Sequence, residues 1–396
     1  MATIIERPSY MEKLAPFMGK GIIKVVTGMR RVGKSYILKM LSATHPGALY
    51  YDMESLEHEG LRNYRAFYEN VKTRLAGKKG LVLVDEVQEI QEWERALASL
   101  LAEDATDLVI SGSNATLLSG EIATLLAGRS ASFEVLPLSL SEFDRFYRGK
   151  NNSADDRFRL YLRYGGLPGL HQLDFDDTAL MQFLDAIFSA IALKDVIRRK
   201  NIRDIDLFER TVRFAFDNIG QLVSCKRIVD YLKSERRSAS VETVANHLLA
   251  LEEAYVLHQV RRWDIKGKRH LQISEKYYAG DVGLRHARIG WKDGDISGLL
   301  ENLVYLELRR RAYTVSVGQL PDAEIDFIAE SRDRAYYIQV SYHLDSPATL
   351  ERELAPFKSL RDRFPCRLIT MDPLQPRNFN GVEHLYLPDF LRGQDL

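Results

Sequence analysis

Gly28-Met29-Arg30-Arg31-Val32-Gly33-Lys34-Ser35 is a run of glycine, four residues, glycine, lysine and serine. Each type in it has a physical use. Glycines let backbone N–H groups turn inward and approach phosphate oxygens closely. A helix starting near Lys34 presents unpaired N–H groups and the positive end of its dipole to the same anion. Lys34 supplies a point charge for the β and γ phosphates, and the Ser35 hydroxyl supplies a Mg²⁺ ligand. The expected ligands are therefore ATP and Mg²⁺. The expected contact set is Gly28, Arg30, Arg31, Val32, Gly33, Lys34, Ser35 and Tyr36. The flanks suit this use. Ile22-Ile23-Lys24-Val25-Val26-Thr27 is a short apolar run, and Ser35-Tyr36-Ile37-Leu38-Lys39-Met40-Leu41 has apolar residues at helical spacing.

A phosphate loop of this kind needs an acid at the end of a buried strand. Leu81-Val82-Leu83-Val84-Asp85-Glu86 provides it, because a continuous apolar run marks a strand covered on both faces. Asp85 is expected in the Mg²⁺ shell, and Glu86 is expected to orient or deprotonate the attacking water. A solvated acidic pair closing a strand is the plainer alternative. Asp107-Leu108-Val109-Ile110-Ser111 is a further strand, followed by Gly112-Ser113-Asn114. Ser113 is expected to hold the water near the γ phosphate, against a simple turn or helix cap. Leu125-Leu126-Ala127-Gly128-Arg129 precedes the last strand, Ser132-Phe133-Glu134-Val135-Leu136. Arg129 is expected either as an arginine finger for the nucleotide of a neighbouring subunit, which requires a homo-oligomer, or as a surface arginine. Strands that alternate with helices imply a parallel sheet with helices on both faces. The fold class is α/β, and the first domain is placed at residues 1–150.

The length of 396 residues suggests two or three domains of roughly 150 residues each. Apolar residues make up 45% and charged residues 28%, as in soluble globular proteins. Lys plus Arg equals Asp plus Glu at 55 each, so no global basic footprint marks a dedicated nucleic-acid binder. Cys225 and Cys366 have no metal-ligand spacing and read as free thiols in a reducing compartment. Charges scattered through residues 1–24 are unlike a secretory signal, and no apolar run approaches the roughly 18 residues of a membrane span. A cytoplasmic location and no membrane partner are expected.

After a polar junction at residues 151–156 the pattern is mostly helical. Gly165-Gly166-Leu167-Pro168-Gly169 breaks it. Residues 219–257 read as a small three-helix unit, with Ser240 as an N-cap. Residues 256–260 and 270–273 flank the turn Ile265-Lys266-Gly267-Lys268, as in a hairpin or wing. Arg261, Arg262, Lys266, Lys268 and Arg269 put basic charge around it. DNA contact through phosphates is expected there, against charges that are merely solvated. This second region is placed at residues 151–275. Strands return in a third, at 276–396, after a helix at 299–311.

Taken in order, these motifs resemble a prokaryotic AAA-type ATPase family with a C-terminal domain related in fold to PD-(D/E)XK nucleases. The resemblance rests on residues 28–35, on Leu-Val-Asp-Glu-Val-Gln at 83–88, Ser-Gly-Ser-Asn at 111–114 and Ala-Gly-Arg at 127–129. It continues through Leu-Pro-Leu-Ser-Leu-Ser-Glu-Phe at 136–143, Gly-Gly-Leu-Pro at 165–168, Glu-Asn-Leu-Val at 301–304 and Glu-Ile-Asp-Phe at 324–327. It implies an ATPase domain, a helical and winged-helix middle, and a restriction-endonuclease-like α/β end. It also implies an acidic site there: Glu on a helix, Asp on a strand, then Glu-x-Lys. Glu301 and Asp326 fill the first two places, while Gln339 and Ser341 stand where the Glu and Lys would be. A neutral amide and a hydroxyl weaken a site that works by charge, so a binding scaffold is expected rather than an active nuclease. The expected function is Mg²⁺-dependent ATP hydrolysis coupled to a nucleic-acid or protein partner. The alternatives are a slow nucleotide-dependent switch and, third, an ATP-dependent DNA nuclease.

Overall fold

Ile23-Lys24-Val25-Val26-Thr27 forms β1 (Ile23–Thr27), buried at every position. Continuous burial marks a central strand of a sheet covered on both faces. In this computed structural model, which describes residues 6–103, 106–118, 128–147, 152–271, 274–362 and 364–396, it is joined by β2 (Leu49–Asp52), β3 (Gly80–Asp85), β4 (Thr106–Gly112) and β5 (Ser130–Glu134). The order is β2-β3-β4-β1-β5, and every pairing is parallel. Residues 125–127, 151 and 272–273, which carried expectations above, lie outside the described residues.

Helices α1 (Pro8–Leu14), α2 (Lys34–Thr44), α3 (Tyr64–Leu75) and α4 (Trp93–Ala102) accompany the sheet. Val25, Tyr51, Val82, Val84 and Ile110 share a core with Phe67 and Val71 of α3 and Leu97 and Leu100 of α4. Val26, Leu83 and Val109 alternate with that set, so they point to the opposite face, and they are buried too. Lys24 is the exception within β1. Its ammonium pairs with Asp107 of β4, and burial pulls its pKa down against that partner. Since all five strands run the same way, their C-terminal ends meet at one edge. That edge is where open α/β sheets bind ligands, beside the strand at which the connections reverse.

The chain divides into two compact units, Met1–Leu136 with Glu253–Tyr255, and Pro137–Glu252 with Val256–Leu396. In the second unit several motifs have structural uses. Ser139 and Glu142 form a reciprocal capping box at 3.1 and 2.9 Å on the helix Leu140–Phe146. Asp281 caps the helix Val282–Ile289, accepting from Gly283 N at 2.9 Å and Leu284 N at 3.2 Å. Its other oxygen accepts from Gly166 N at 2.8 Å. A Cβ on Gly165 would lie 2.1 Å from Asp281, so the Gly-Gly-Leu-Pro segment is a clasp for that carboxylate.

Five short strands follow one another in this unit: β6 (Leu222–Val223), β7 (Leu257–Val260), β8 (Arg262–Asp264), β9 (Arg269–His270) and β10 (Glu275–Ala279). The antiparallel sheet is ordered β6-β10-β7, and the helices Cys225–Ser234 and Val241–Glu253 lie between β6 and β7 in the chain. Thr243 N donates to Ser240 Oγ at 3.0 Å at the start of the second helix. The strand pairing differs from expectation. β7 pairs with β10, and the hairpin is the shorter β8–β9, with Trp263 opposite His270. The cause is a second partner: β8 lies parallel to β11 (Thr314–Gln319), and Arg262 donates to Gln319. Arg261, Lys266, Lys268 and Arg269 remain exposed.

β11 continues through β12 (Glu324–Glu330), β13 (Ala335–Ser341), β14 (Cys366–Thr370), β15 (Asn378–Phe379) and β16 (Val382–Tyr386). The order of this mixed sheet is β15-β16-β14-β13-β12-β11-β8-β9. All seven positions of β13 are buried. The helices Ile296–Arg310 and Pro347–Lys358 both pack on the sheet. Among the described residues no helix is long and apolar enough to cross a membrane.

Candidate functional site

The loop after β1 is held in shape by steric necessity. Gly28 has φ +137°, and a Cβ there would lie 2.3 Å from Val135 O. Gly33, at φ +100°, is the left-handed N-cap of α2. Arg31 takes φ +68° between them, an uncommon conformation for a side-chain-bearing residue. Lys34 opens α2 and is 4% exposed. Its Nζ donates to Gly28 O at 3.0 Å and Met29 O at 3.1 Å, so the loop wraps its own lysine. Ser35 is half-buried next to it, Val32 is buried, and Tyr36 is exposed under Lys39. Arg30 reaches outward to Glu54 at 3.2 Å.

A brace holds this loop from the N-terminal side. Arg7 donates to Val32 O at 2.9 Å and to Leu136 O at 3.0 Å, and lies 4.6 Å from the centre of the Tyr10 ring. The Tyr10 hydroxyl accepts from Leu136 N at 3.0 Å. Sequence reasoning missed both residues. An arginine ahead of a proline reads as a loop, and nothing local points across more than a hundred residues.

The acidic half lies at the ends of β3 and β4. Asp85 accepts from the Ser111 hydroxyl and from the Tyr50 hydroxyl, the latter at 3.1 Å. Burial and then the charge of Asp85 raise the Tyr50 pKa, so this phenol stays a donor. Ser111 Oγ also accepts from Glu86 N at 3.1 Å, which fixes both acids to β4. Glu86 is left-handed at φ +53°. Its Oε1 lies 3.8 Å from Lys34 Nζ, and its Oε2 accepts from Gln88 Nε2 at 2.5 Å. Lys34, Asp85 and Glu86 are thus brought together. Ser113 is buried just beyond β4, and the hydroxyl of Ser111, two residues earlier, bonds Asp85. Only strand register, with Val84 opposite Ile110, identifies it.

Arg129 is not part of this cluster within one chain. Its side chain is exposed, and its carbonyl accepts from Ile23 N at 2.8 Å, at the beginning of β1. The loop follows the end of β1, and at roughly 3.3 Å per strand residue the two lie on opposite edges of the sheet.

The residues present suit a phosphate with a hard divalent cation. The loop offers a helix N-terminus and a buried ammonium, and the acidic side offers carboxylate and hydroxyl oxygens. Residues 20–144 match a family model described as AAA domain, and residues 155–295 match one described as Domain of unknown function (DUF8612). An uncharacterized protein of Haemophilus influenzae is 33% identical over 399 residues, covering 98% of each chain. The chain belongs to its family, with an AAA-type ATPase domain at the N-terminal end. The uncharacterized protein MJ1544 of Methanocaldococcus jannaschii is 28% identical over 366 residues, 86% of this chain and 79% of that one. The Walker-type ATPase PABY2304 of Pyrococcus abyssi superposes with a TM-score of 0.52 at 13% identity, over 72% of this chain and 96% of its own. The likeness is one of fold, and the parallel sheet of the AAA domain agrees with it.

A second acidic group lies in the other unit. Glu301 on the helix Ile296–Arg310, Asp326 on β12 and Gln339 on β13 come together. Gln339 Oε1 accepts from Asp326 N at 2.7 Å, and Asp326 Oδ2 accepts from Val340 N at 2.9 Å. Ser341 is buried two residues further along β13. Lys276 of β10 joins the carboxylates, and sequence reasoning passed it over because it lies 50 residues before Asp326.

Proposed function

We propose that the chain is a Mg²⁺-dependent ATPase. The observation behind this reading is the approach of Lys34 Nζ to Glu86 across the end of the sheet, 3.8 Å apart. It sets a phosphate-binding ammonium and a carboxylate base on either side of one space. Lys34 would exchange the carbonyls of Gly28 and Met29 for phosphate oxygens. Its attraction to Glu86 would weaken, leaving that carboxylate to orient a water and take its proton. Ser35 and Asp85 would hold Mg²⁺. The ion, when bound, neutralises charge on the phosphates. Ser111 keeps Asp85 from turning away. The test is phosphate release by the purified full chain with ATP and Mg²⁺. It should fall to background in Lys34→Ala, and wild-type turnover in that variant would sink the reading.

Arg129, exposed at the far edge of the sheet, suits a partner copy rather than its own loop. We infer that it acts in trans as an arginine finger, a role worth roughly 10³–10⁵ in rate. Arg129→Ala should lose at least about 10³-fold of turnover with ATP affinity unchanged. The wild-type specific rate should rise with protein concentration. A concentration-independent rate that Arg129→Ala leaves intact would remove the finger from the mechanism.

A further inference from the structure

Lys276 lies in β10 at 3% exposure, an unusual place for an ammonium. Its Nζ is 2.8 Å from Glu324 Oε1, 3.1 Å from Glu301 Oε2 and 3.5 Å from Asp326 Oδ1. Tyr278 donates to the same Glu301 oxygen at 3.0 Å. Three carboxylates from one helix and one strand therefore converge on a single point, and a nitrogen stands there. An ammonium has three N–H donors and no acceptor, which matches three carboxylate oxygens. Burial works against the charge of Lys276, but Glu301, Asp326 and Glu324 outweigh it and raise its pKa. Burial first, and then Asp326, push the Glu301 carboxyl up, with Lys276 pulling the other way.

The resemblance to a nuclease fold implies a Mg²⁺ ion at Glu301 and Asp326, and the residues present do not fit one. The ion would need oxygens at about 2.1 Å in near-octahedral array. The space is filled by Lys276, and one oxygen each of Glu301 and Asp326 already accepts from Tyr278 and Val340. Among the described residues no group of three or more His, Cys, Asp or Glu side chains is arranged to hold a metal. A lysine that serves an attacking water would stand beside such an ion, whereas Lys276 is bonded to all three acids.

We propose that Lys276 is the resident cation of this site: its ammonium takes the place of a divalent metal among Glu301, Glu324 and Asp326, and closes the site to metal. The test uses the full chain, stripped of metal and nucleotide, titrated with Mn²⁺ and followed by electron paramagnetic resonance. Wild type and Asp326→Asn should bind the same amount, because no ion reaches Asp326. Lys276→Ala should gain one equivalent, lost again in Lys276→Ala with Asp326→Asn. Its thermal midpoint should rise with Mn²⁺, while that of Asp326→Asn does not move. Binding to wild type that Asp326→Asn removes would overturn the proposal. So would a folded Lys276→Ala that gains no ion, or one that fails to fold both with and without Mn²⁺, since the two cations would then not be interchangeable.

Discussion

Glu86→Gln is expected to lower ATP turnover by roughly 10²–10⁴-fold while leaving ATP bound, the usual share of a positioned general base. That range is about 2.7–5.5 kcal/mol of barrier. Glutamine keeps the size of the side chain and a carbonyl oxygen for the 2.5 Å contact with Gln88. It removes the basic oxygen and the negative charge. Lys34 loses its 3.8 Å counter-charge at the same time, so ATP affinity should hold or tighten. Phosphate release and equilibrium binding of a fluorescent ATP analogue, measured on one preparation, separate the two effects. Loss of binding would mean that Glu86 shapes the loop, and unchanged turnover would mean that the base is another group.

The legible part of this molecule is the part whose reasons are local. Strands buried on both faces must be continuous apolar runs, so β1, β3 and β4 announce themselves, and the parallel α/β sheet follows. Glycines at residues 28 and 33 are needed by φ and by the closeness of Val135, and that need appears as spacing. Lys34, Asp85 and Glu86 stand at fixed places after such strands. The residues that escaped are polar groups whose partners are distant in sequence. Arg7 braces Leu136, Ser111 fastens Asp85, and Lys276 gathers Glu301, Glu324 and Asp326. No period of two or 3.6 encodes such a pairing. The hairpin forms around the expected turn, but its flanking strands differ from expectation for a related reason. Nearness in sequence favours 256–260 with 270–273, but β10 offers β7 a longer, buried partner, and β8 is claimed by β11. The Gly-Gly-Leu-Pro motif was visible as a break in a helix, and only the fold shows what it breaks for.

That break leads to the largest expected loss of stability. Asp281→Ala should cost about 3 kcal/mol or more, because three buried N–H groups, of Gly166, Gly283 and Leu284, lose their acceptor at roughly 1–3 kcal/mol each. Gly283→Ala should fail by sterics instead, since its Cβ would lie 1.9 Å from Tyr164 O. Asp281→Asn is milder: one oxygen remains, but an amide N–H₂ faces another donor. This variant also has a pH signature. Burial pushes the Asp281 carboxyl up to about 6, against the pull of its three backbone donors. The unfolded value is near 3.9. The native state thus binds more protons between about 4 and 6, and stability falls as pH rises through that window. His286, on the same helix, has the opposite sign. Burial pushes it down to about 4, with Nδ1 donating to Arg163 O at 2.7 Å. Its unfolded value is near 6.5, so the unfolded state binds more protons from about 4 to 6.5, and stability rises with pH. In the wild type the two offset each other between pH 4 and 6. Asp281→Asn should uncover the histidine, and the thermal midpoint should climb with pH across that range more steeply than in the wild type. Thermal unfolding at half-unit steps of pH checks this, and parallel profiles for the two proteins would show that the Asp281 carboxylate is already ionised at pH 4 in the fold.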